Sequence, residues 1–252
     1  MATAVVQQGK DAGLTTTSLP GRRFDHLFFT SMALLMLLTV FIGFSRTYYL
    51  AGIFRAPLPG LIIHLHGAAF TTWILLLVTQ TSLVAAGRTD IHRRLGIGGF
   101  GLGCVMIVLG VLAATDSLVR GAGPIGRDTK AFYIVPLTDM LIFGTLLFFA
   151  FRARFDSPAH KRIIYIATTA LMIAAIARFP IAFSYRKSFV DSWLSYIFLL
   201  ILVAYDLWST RKLHRATLWA GTFLIFVQQI RLPIGKTALW HSFATWAQGI
   251  GR

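Results

Sequence analysis

Residues 95–115 read LGIGGFGLGCVMIVLGVLAAT and contain no charged side chain. A helix that crosses the hydrocarbon of a bilayer needs about 20 mainly apolar residues, and this stretch supplies them. Six further stretches have the same character, of which the sixth along the chain is short: 27–45, 61–85, 131–151, 163–183, 193–207 and 217–234. The sequence therefore predicts an all-α fold, a polytopic transmembrane helix bundle with about seven spans.

The composition of the whole chain agrees with a membrane protein. Of the 252 residues, 56% are hydrophobic and only 13% are charged, whereas about a quarter of the residues in a soluble domain are charged. The net charge of +15 could indicate a nucleic-acid partner, but the basic residues stand in short clusters between long apolar runs, as membrane proteins carry them. We expect no nucleic-acid partner. The single cysteine, Cys104, excludes an intramolecular disulfide.

The loops between the runs predict how the chain is divided and oriented. We expect a flexible cytoplasmic tail over 1–25, the helical bundle over 26–236 and a short extracytoplasmic C-terminal segment over 237–252. Thirteen Lys and Arg residues fall on the side of the N-terminus and nine on the other side. Since cytoplasmic loops carry the excess of basic residues, the N-terminus is predicted to be cytoplasmic.

Small residues recur on two of the runs. Gly96, Gly99, Gly103 and Gly110 share one stripe of the third run, and the fifth run has alanines similarly placed, at 167, 170, 174 and 177. Small residues at this spacing allow helix backbones to approach closely in lipid. These two helices are predicted to form the packed centre of the bundle.

Four ionisable residues stand out inside the predicted spans: His66, Asp139, Arg178 and Arg231. A charge inside a span costs roughly 2.5–3.5 kcal/mol, so it normally faces a partner or a cavity. At 1.5 Å per residue, all four come out roughly 5–12 Å below the outer edge of the apolar layer. Four separate helices thus bring polar groups to one depth.

Three interpretations of this coincidence remain open. Asp139 can pair with Arg178 or Arg231 as a structural lock between helices. The four residues can instead line a polar pocket that opens to the outside, suited to an anionic solute or a proton relay. Arg231 and His66 can also extend to the membrane surface.

The second run carries a polar face. His66, Trp73 and Gln80 recur at intervals of seven and share one side of a helix, while His64 points about 200° away from His66. Gln228 and the neighbouring Gln229 on the seventh run can line the same track. Amides at this depth serve equally well to hold two helices together.

The predicted cytoplasmic ends of the spans carry histidines beside basic residues. Two clusters stand out, and their members are His92, Arg93, Arg94, His160, Lys161 and Arg162. Basic residues at a helix N-terminus favour anions, and anionic lipid head groups are the simplest occupants. A metal or haem iron held by His92 and His160 is the alternative, since imidazole is a usual axial ligand. No compact metalloenzyme motif accompanies them.

The elements His64-Leu-His66-Gly67, His92-Arg93-Arg94-Leu95-Gly96 and His160-Lys161-Arg162 resemble a signature of an uncharacterised family of bacterial integral membrane proteins. The likeness extends over roughly residues 40–245 and implies a bacterial inner-membrane location. The second element is also distantly similar to small haem-associated membrane proteins of the cytochrome b561 type. That second resemblance implies b-type haem, with paired histidines on facing helices.

Three functions from different classes follow. The first is an accessory or assembly subunit of a membrane complex, with other membrane subunits as partners. The second is a transporter or small-molecule-binding protein that uses His66, Asp139, Arg178 and Arg231. The third is a b-haem redox protein. Neither a nucleophile triad, a phosphate-binding glycine loop nor a carboxylate pair indicates an enzyme, so catalytic residues stay unassigned.

Overall fold

The computed structural model describes residues 20–57, 59–123, 126–179 and 188–251, with side chains from 24 onward and, in the last segment, from 193 onward. Within these ranges the fold is entirely helical, which confirms the predicted all-α bundle. The helices are α1 (Pro20–Phe44), α2 (Leu61–Ala85), α3 (Thr89–Val119), α4 (Thr129–Arg152), α5 (Ser157–Ile176), α6 (Ser188–Thr210), α7 (Arg215–Ile234) and α8 (Ala238–Ile250).

Six of the described helices, α1 to α6, are long and apolar enough to cross a membrane, and α1 is extended by a π-helical turn, Ser45–Tyr49. The chain is therefore a multi-pass membrane protein. Helix α7, the seventh predicted span, has 20 residues but carries Gln228, Gln229 and Arg231. These residues lower its mean hydropathy, yet Gln228 and Arg231 are buried within the protein. Because Gln228 and Arg231 point inward, the outer surface of α7 includes large apolar side chains such as Phe226 and Ile230.

The ends of the chain differ from the sequence-based boundaries. Helix α1 begins at Pro20, inside the predicted tail, and residues 1–19 lie outside the described ranges. The predicted C-terminal segment contains helix α8, whose first turn is capped by the Thr237 hydroxyl. The fifth run ends as a helix at Ile176, and its predicted continuation beyond 179 lies outside the described ranges.

Consecutive helices run in alternate directions, so α1, α3, α5 and α7 begin at one end of the bundle, here named end A, and the opposite end is end B. Five helices close into a ring, because α1 packs on α2, α2 on α3, α3 on α4, α4 on α5, and α5 back on α1. Outside the ring, α6 packs mainly on α5, α7 on α4 and α5, and α8 on α4 and α3.

The interior of the ring is filled by side chains. Trp73 of α2 projects into it, with its ring edge-to-face against Phe143 of α4, the centroids 5.0 Å apart. Helix α5 is the most buried of the described helices. Its alanine stripe predicted a central position, and Ala167 and Ala170 of that stripe are fully buried. The glycine stripe of α3 also faces inward, where Gly103 leaves room for Leu147 and Gly110 for Met140. Two alanines of the predicted stripe on the fifth run, at 174 and 177, are exposed instead.

A tight turn joins α2 and α3 at end A. Gly87 has a φ of 74°, a left-handed conformation that a residue with a Cβ adopts only at a cost. The amide of Arg88 donates to the carbonyl of Leu83 at 2.8 Å, which closes the end of α2. This short connection places Gln80 near the end of α2 beside His92 at the start of α3.

Candidate functional site

Asp139 and Arg231 form a buried ion pair between α4 and α7. The guanidinium NH1 donates to Asp139 Oδ1 at 2.6 Å and makes longer contacts with the Thr138 hydroxyl and the Val135 carbonyl, at 3.4 and 3.5 Å. Only 7% of Asp139 and 1% of Arg231 is exposed. Of the interpretations left open by the sequence, this geometry matches the structural lock with Arg231 as partner.

Gln228 lies one turn before Arg231 on the same buried face of α7. Its amide lies beside the Asp139 carboxylate but forms no well-aligned hydrogen bond with a described residue, and Arg231 Nε also lacks one. Gln229 points elsewhere and donates to the Tyr196 hydroxyl of α6 at 2.9 Å. The two glutamines therefore belong to the α4–α6–α7 side of the bundle and do not extend the polar face of α2.

His66 and Arg178 form a second group, at end B of the ring. Arg178 follows the last turn of α5, donates to the Ala174 carbonyl at 2.6 Å and lies over the ring of Phe44 at 4.8 Å. The His66 ring stacks on Phe70 with centroids 4.1 Å apart, within electrostatic reach of Arg178.

The residues predicted to share one pocket are thus divided. Within the described part of the chain, no hydrogen bond or ion pair connects His66 or Arg178 with Asp139 or Arg231. The four residues were predicted to lie at a similar depth, but they face different neighbours around the bundle. The single outward pocket expected from the sequence is replaced by a closed ion pair and a separate His66–Arg178 group.

Trp73 and Gln80 continue the α2 face toward end A, as predicted. The Trp73 indole N–H donates across the ring to the Thr168 hydroxyl of α5 at 3.2 Å. Gln80 reaches α3, where its amide nitrogen would lie 3.5 Å from a Cβ placed on Gly96. The Gln80 side-chain oxygen is buried and has no partner in the described residues.

Arg162 does not lie where the sequence analysis placed it. Its Nε and NH2 both donate to Asp206 Oδ1 of α6, at 2.9 and 2.6 Å, and only 3% of Arg162 and none of Asp206 is exposed. The other Asp206 oxygen accepts from the Thr217 hydroxyl at 2.6 Å and the His214 amide at 3.2 Å. Arg162 is therefore a structural residue and cannot contact a lipid head group.

Lys161 also has a partner, because it forms an ion pair with Asp25 of α1. Asp25 accepts a further hydrogen bond from the Tyr205 hydroxyl at 2.7 Å. The sequence analysis missed Asp25 and Asp206 as partners. The available signal for Asp206 was an acidic residue inside the sixth apolar run. Arg93 and Arg94 are exposed at end A, so contact with anionic head groups stays a prediction for these two.

His92 and His160 approach each other at end A, inside the ring. Their ring centroids are 6.4 Å apart and their planes are nearly perpendicular, at 85°. His160 Nδ1 lies 2.8 Å from the Ala150 carbonyl of α4. His92 Nδ1 is buried without a partner in the described ranges. The group formed by His92, His160 and Gln80 is named the histidine group below.

The histidine group contains few side chains of the kinds that bind metal ions. The described residues contain no cluster of three or more His, Cys, Asp or Glu side chains that could hold a metal ion. A metal bound by the two imidazoles would therefore draw its remaining ligands from other groups, such as the Gln80 amide or the ligands of a macrocycle.

Comparisons with protein-family models, with curated proteins and with solved structures found no match.

Proposed function

We propose that the chain is an accessory or assembly subunit of a membrane complex in a bacterial inner membrane. In this proposal, the outward face of α2 and α3 packs against a transmembrane helix of a different subunit. The predicted orientation and the family resemblance of the His-rich elements support the location. The composition of the outward surfaces supports the partner.

The buried charges support a structural role for most of the polar residues. Three ion pairs each join two different helices: Asp139–Arg231 joins α4 and α7, Arg162–Asp206 joins α5 and α6, and Lys161–Asp25 joins α1 and α5. Removing one member of such a pair leaves an uncompensated buried charge, so each pair fixes its two helices in register. Charges committed in this way are not free to carry a solute.

The observation that carries the proposal is the outward face of α2 and α3. This face, named the small-residue face, carries exposed small or hydroxyl residues among exposed bulky ones such as Leu75, Ile97 and Val105. Its small members are Ala68, Thr72, Thr79 and Ser82 of α2 and Gly98, Gly101 and Cys104 of α3. A Cβ placed on Gly98 or Gly101 would meet no atom within 4 Å. Small residues are the ones through which membrane helices pack against each other.

Other outward surfaces have the composition expected toward lipid. Helix α1 exposes Leu34, Leu38 and Phe41, and α6 exposes Ile197 and Leu200. Bulky side chains of this kind contact hydrocarbon without any need for a partner. The small-residue face differs from these surfaces of α1 and α6 in the glycine, alanine and hydroxyl residues that stand between its bulky side chains.

Cys104 provides the test, because it is the single cysteine of the chain and lies on the small-residue face. In native membranes, a photoactivatable maleimide on Cys104 is expected to crosslink one specific protein, identified by mass spectrometry, and the native complex should exceed the mass of the chain alone. The variant Gly101→Leu should abolish both results by filling the gap for the partner helix. Ala204→Leu, on exposed α6, is the matched control and should preserve them.

A cysteine moved to α6 (Cys104→Ser with Ala204→Cys) supplies the second control and should label lipid only. Crosslinking from Cys104 that survives Gly101→Leu would contradict the proposal. A product with twice the mass of the chain would also contradict it, since that result assigns the face to a second copy.

A further inference from the structure

We propose that His92, His160 and the side-chain amide of Gln80 form a binding site for a transition-metal ion of the kind that prefers imidazole, either as a free ion or as the iron of a haem. The site lies inside the helix ring at end A. It is separate from the small-residue face and does not depend on the proposed partner.

The hydrogen bond of His160 fixes which of its nitrogens is available. A backbone carbonyl can only accept, so the 2.8 Å contact with Ala150 requires a proton on Nδ1. The neutral ring then carries its lone pair on Nε2. Metal-ligating histidines commonly donate their second ring N–H to a carbonyl in this way, which fixes the tautomer and the ring orientation.

The separation of the two rings matches a shared metal. Two imidazoles bound to opposite sides of one metal, at about 2.0–2.1 Å per bond, place their centroids about 6 Å apart. The observed separation of His92 and His160 is 6.4 Å. Nearly perpendicular planes are compatible with this arrangement, since each ring can rotate about its own metal–nitrogen bond.

Unsatisfied atoms provide an independent observation. His92 Nδ1 and Gln80 Oε1 are both buried and lack a hydrogen-bond partner within the described residues. A buried polar atom without a partner is destabilising, and a ligand or water commonly satisfies it. His92 and Gln80 are neighbours, because the His92 ring lies beside the Gln80 backbone, and the adjacent His160 ring carries a free lone pair on Nε2.

The charge of the histidine group restricts the ligand class. Two neutral imidazoles and an amide bring no negative charge, which excludes Ca²⁺ and Mg²⁺, since these bind carboxylate-rich oxygen sites. Imidazole suits Zn, Cu, Fe and Ni. Exposed Arg93 and Arg94 follow His92 and favour a metal whose other ligands are anionic, as in haem. The free ion and the haem iron share the imidazole bond, and the experiment separates them.

The test measures metal content and the absorption spectrum of the full-length protein, purified in detergent without chelators. We expect about one transition metal per chain and a fall below about one-tenth in His92→Ala and His160→Ala. A Soret band identifies haem iron, and metal without that band identifies a free ion. His64→Ala is the matched control, because His64 is exposed at end B, and its metal content should equal that of the wild type.

A milder variant keeps the result interpretable if a histidine variant fails to fold. Gln80→Leu preserves the helix and should weaken the binding of added Zn²⁺ or haemin by about 10-fold or more. The proposal is overturned if the wild type, shown to be monodisperse, contains neither metal nor haem and binds neither probe. It is also overturned if metal remains bound in the double variant of His92 and His160.

Discussion

Two buried polar groups lie side by side on α5 and differ in how their atoms are used. Arg162 faces α6, where its charge is matched by Asp206 and where the remaining oxygen of that carboxylate is also bonded. His160, two residues earlier, faces the ring interior beside His92, and the histidine group there retains unpartnered donor and acceptor atoms. The comparison teaches that a completed network holds helices together, whereas the unpartnered imidazole and amide atoms of the histidine group are available to the ligand that we propose.

The largest expected effect comes from breaking the completed network. Asp206→Leu leaves the buried Arg162 guanidinium without its partner, and loss of one member of a buried pair costs about 3–5 kcal/mol. Thermal unfolding in detergent should show a strongly lowered midpoint or no folded protein. The double variant Arg162→Met with Asp206→Leu should recover much of the loss. Equal instability of the single and the double variant would contradict the lock.

A smaller effect is expected inside the ring, between the two regions. Thr168→Val removes the acceptor of the Trp73 indole N–H and leaves a buried donor unsatisfied, at a cost of about 1–3 kcal/mol. Trp73→Phe with Thr168→Val removes both polar partners. Adding Thr168→Val should therefore cost much less in the Trp73→Phe background than in the wild type, which a double-mutant cycle measures. Strict additivity would show that this bond does not connect α2 and α5.

His214, whose amide donates to Asp206 at the start of α7, is expected to make the stability of this helix end depend on pH. His214 Nδ1 accepts from the Ala216 amide at 3.1 Å and so caps α7; burial, together with the nearby Arg162 charge, lowers the pKa of His214. Because the folded pKa is depressed, the contribution of this residue is present above the unfolded pKa of about 6.5 and is lost as pH falls toward the folded value. His214→Ala should cost about 1 kcal/mol at neutral pH.

His214→Asn is the matched control for the pH effect, since asparagine caps a helix but does not titrate. The protection factors of amides in the first turn of α7, which correct for the pH dependence of intrinsic exchange, should fall between pH 6.5 and pH 5 in the wild type. They should stay constant in this variant. An identical fall in both proteins would remove His214 as its cause.

The smallest effect is expected for an exposed pair that belongs to neither region. Arg120 and Asp116 form an i,i+4 salt bridge on the surface of α3. Exposed pairs of this kind contribute about 0.3–0.5 kcal/mol. Arg120→Ala should therefore leave the unfolding midpoint almost unchanged. A shift as large as that caused by breaking a buried pair would show that burial does not determine how much an ion pair stabilises this protein.

The helical bundle could be predicted from the sequence because a run of about 20 apolar residues strongly indicates a membrane-spanning helix. The Asp139–Arg231 lock was among the predicted pairings, since a buried acid needs a base at similar depth. Depth alone does not determine direction, however. His66 lies beside the Leu109 backbone of α3, and Arg231 faces the α4–α7 contact, so residues at one level did not form one pocket.

The cluster His160-Lys161-Arg162 illustrates the same limit at end A. Successive residues on a helix point about 100° apart, so these neighbours meet three different surroundings: the ring interior, α1 and α6. The prediction of one shared head-group contact was therefore wrong for Arg162, whereas for Lys161, which pairs with Asp25, it stays a prediction. Helix α8 was missed for another reason, because its 13 residues are too few to span a membrane and give no hydropathy signal.

The central claim is that ion pairs hold the bundle and the histidine group binds a metal. It is tested most directly by measuring the unfolding midpoint and the metal content of the same variants. We expect Asp139→Leu to be strongly destabilised, Asp139→Leu with Arg231→Leu to recover, and both to keep the metal content of the wild type. His92→Ala with His160→Ala should lose the metal and unfold like metal-stripped wild type. Metal content that follows the ion pair, or a double ion-pair variant that fails to recover, would contradict the account.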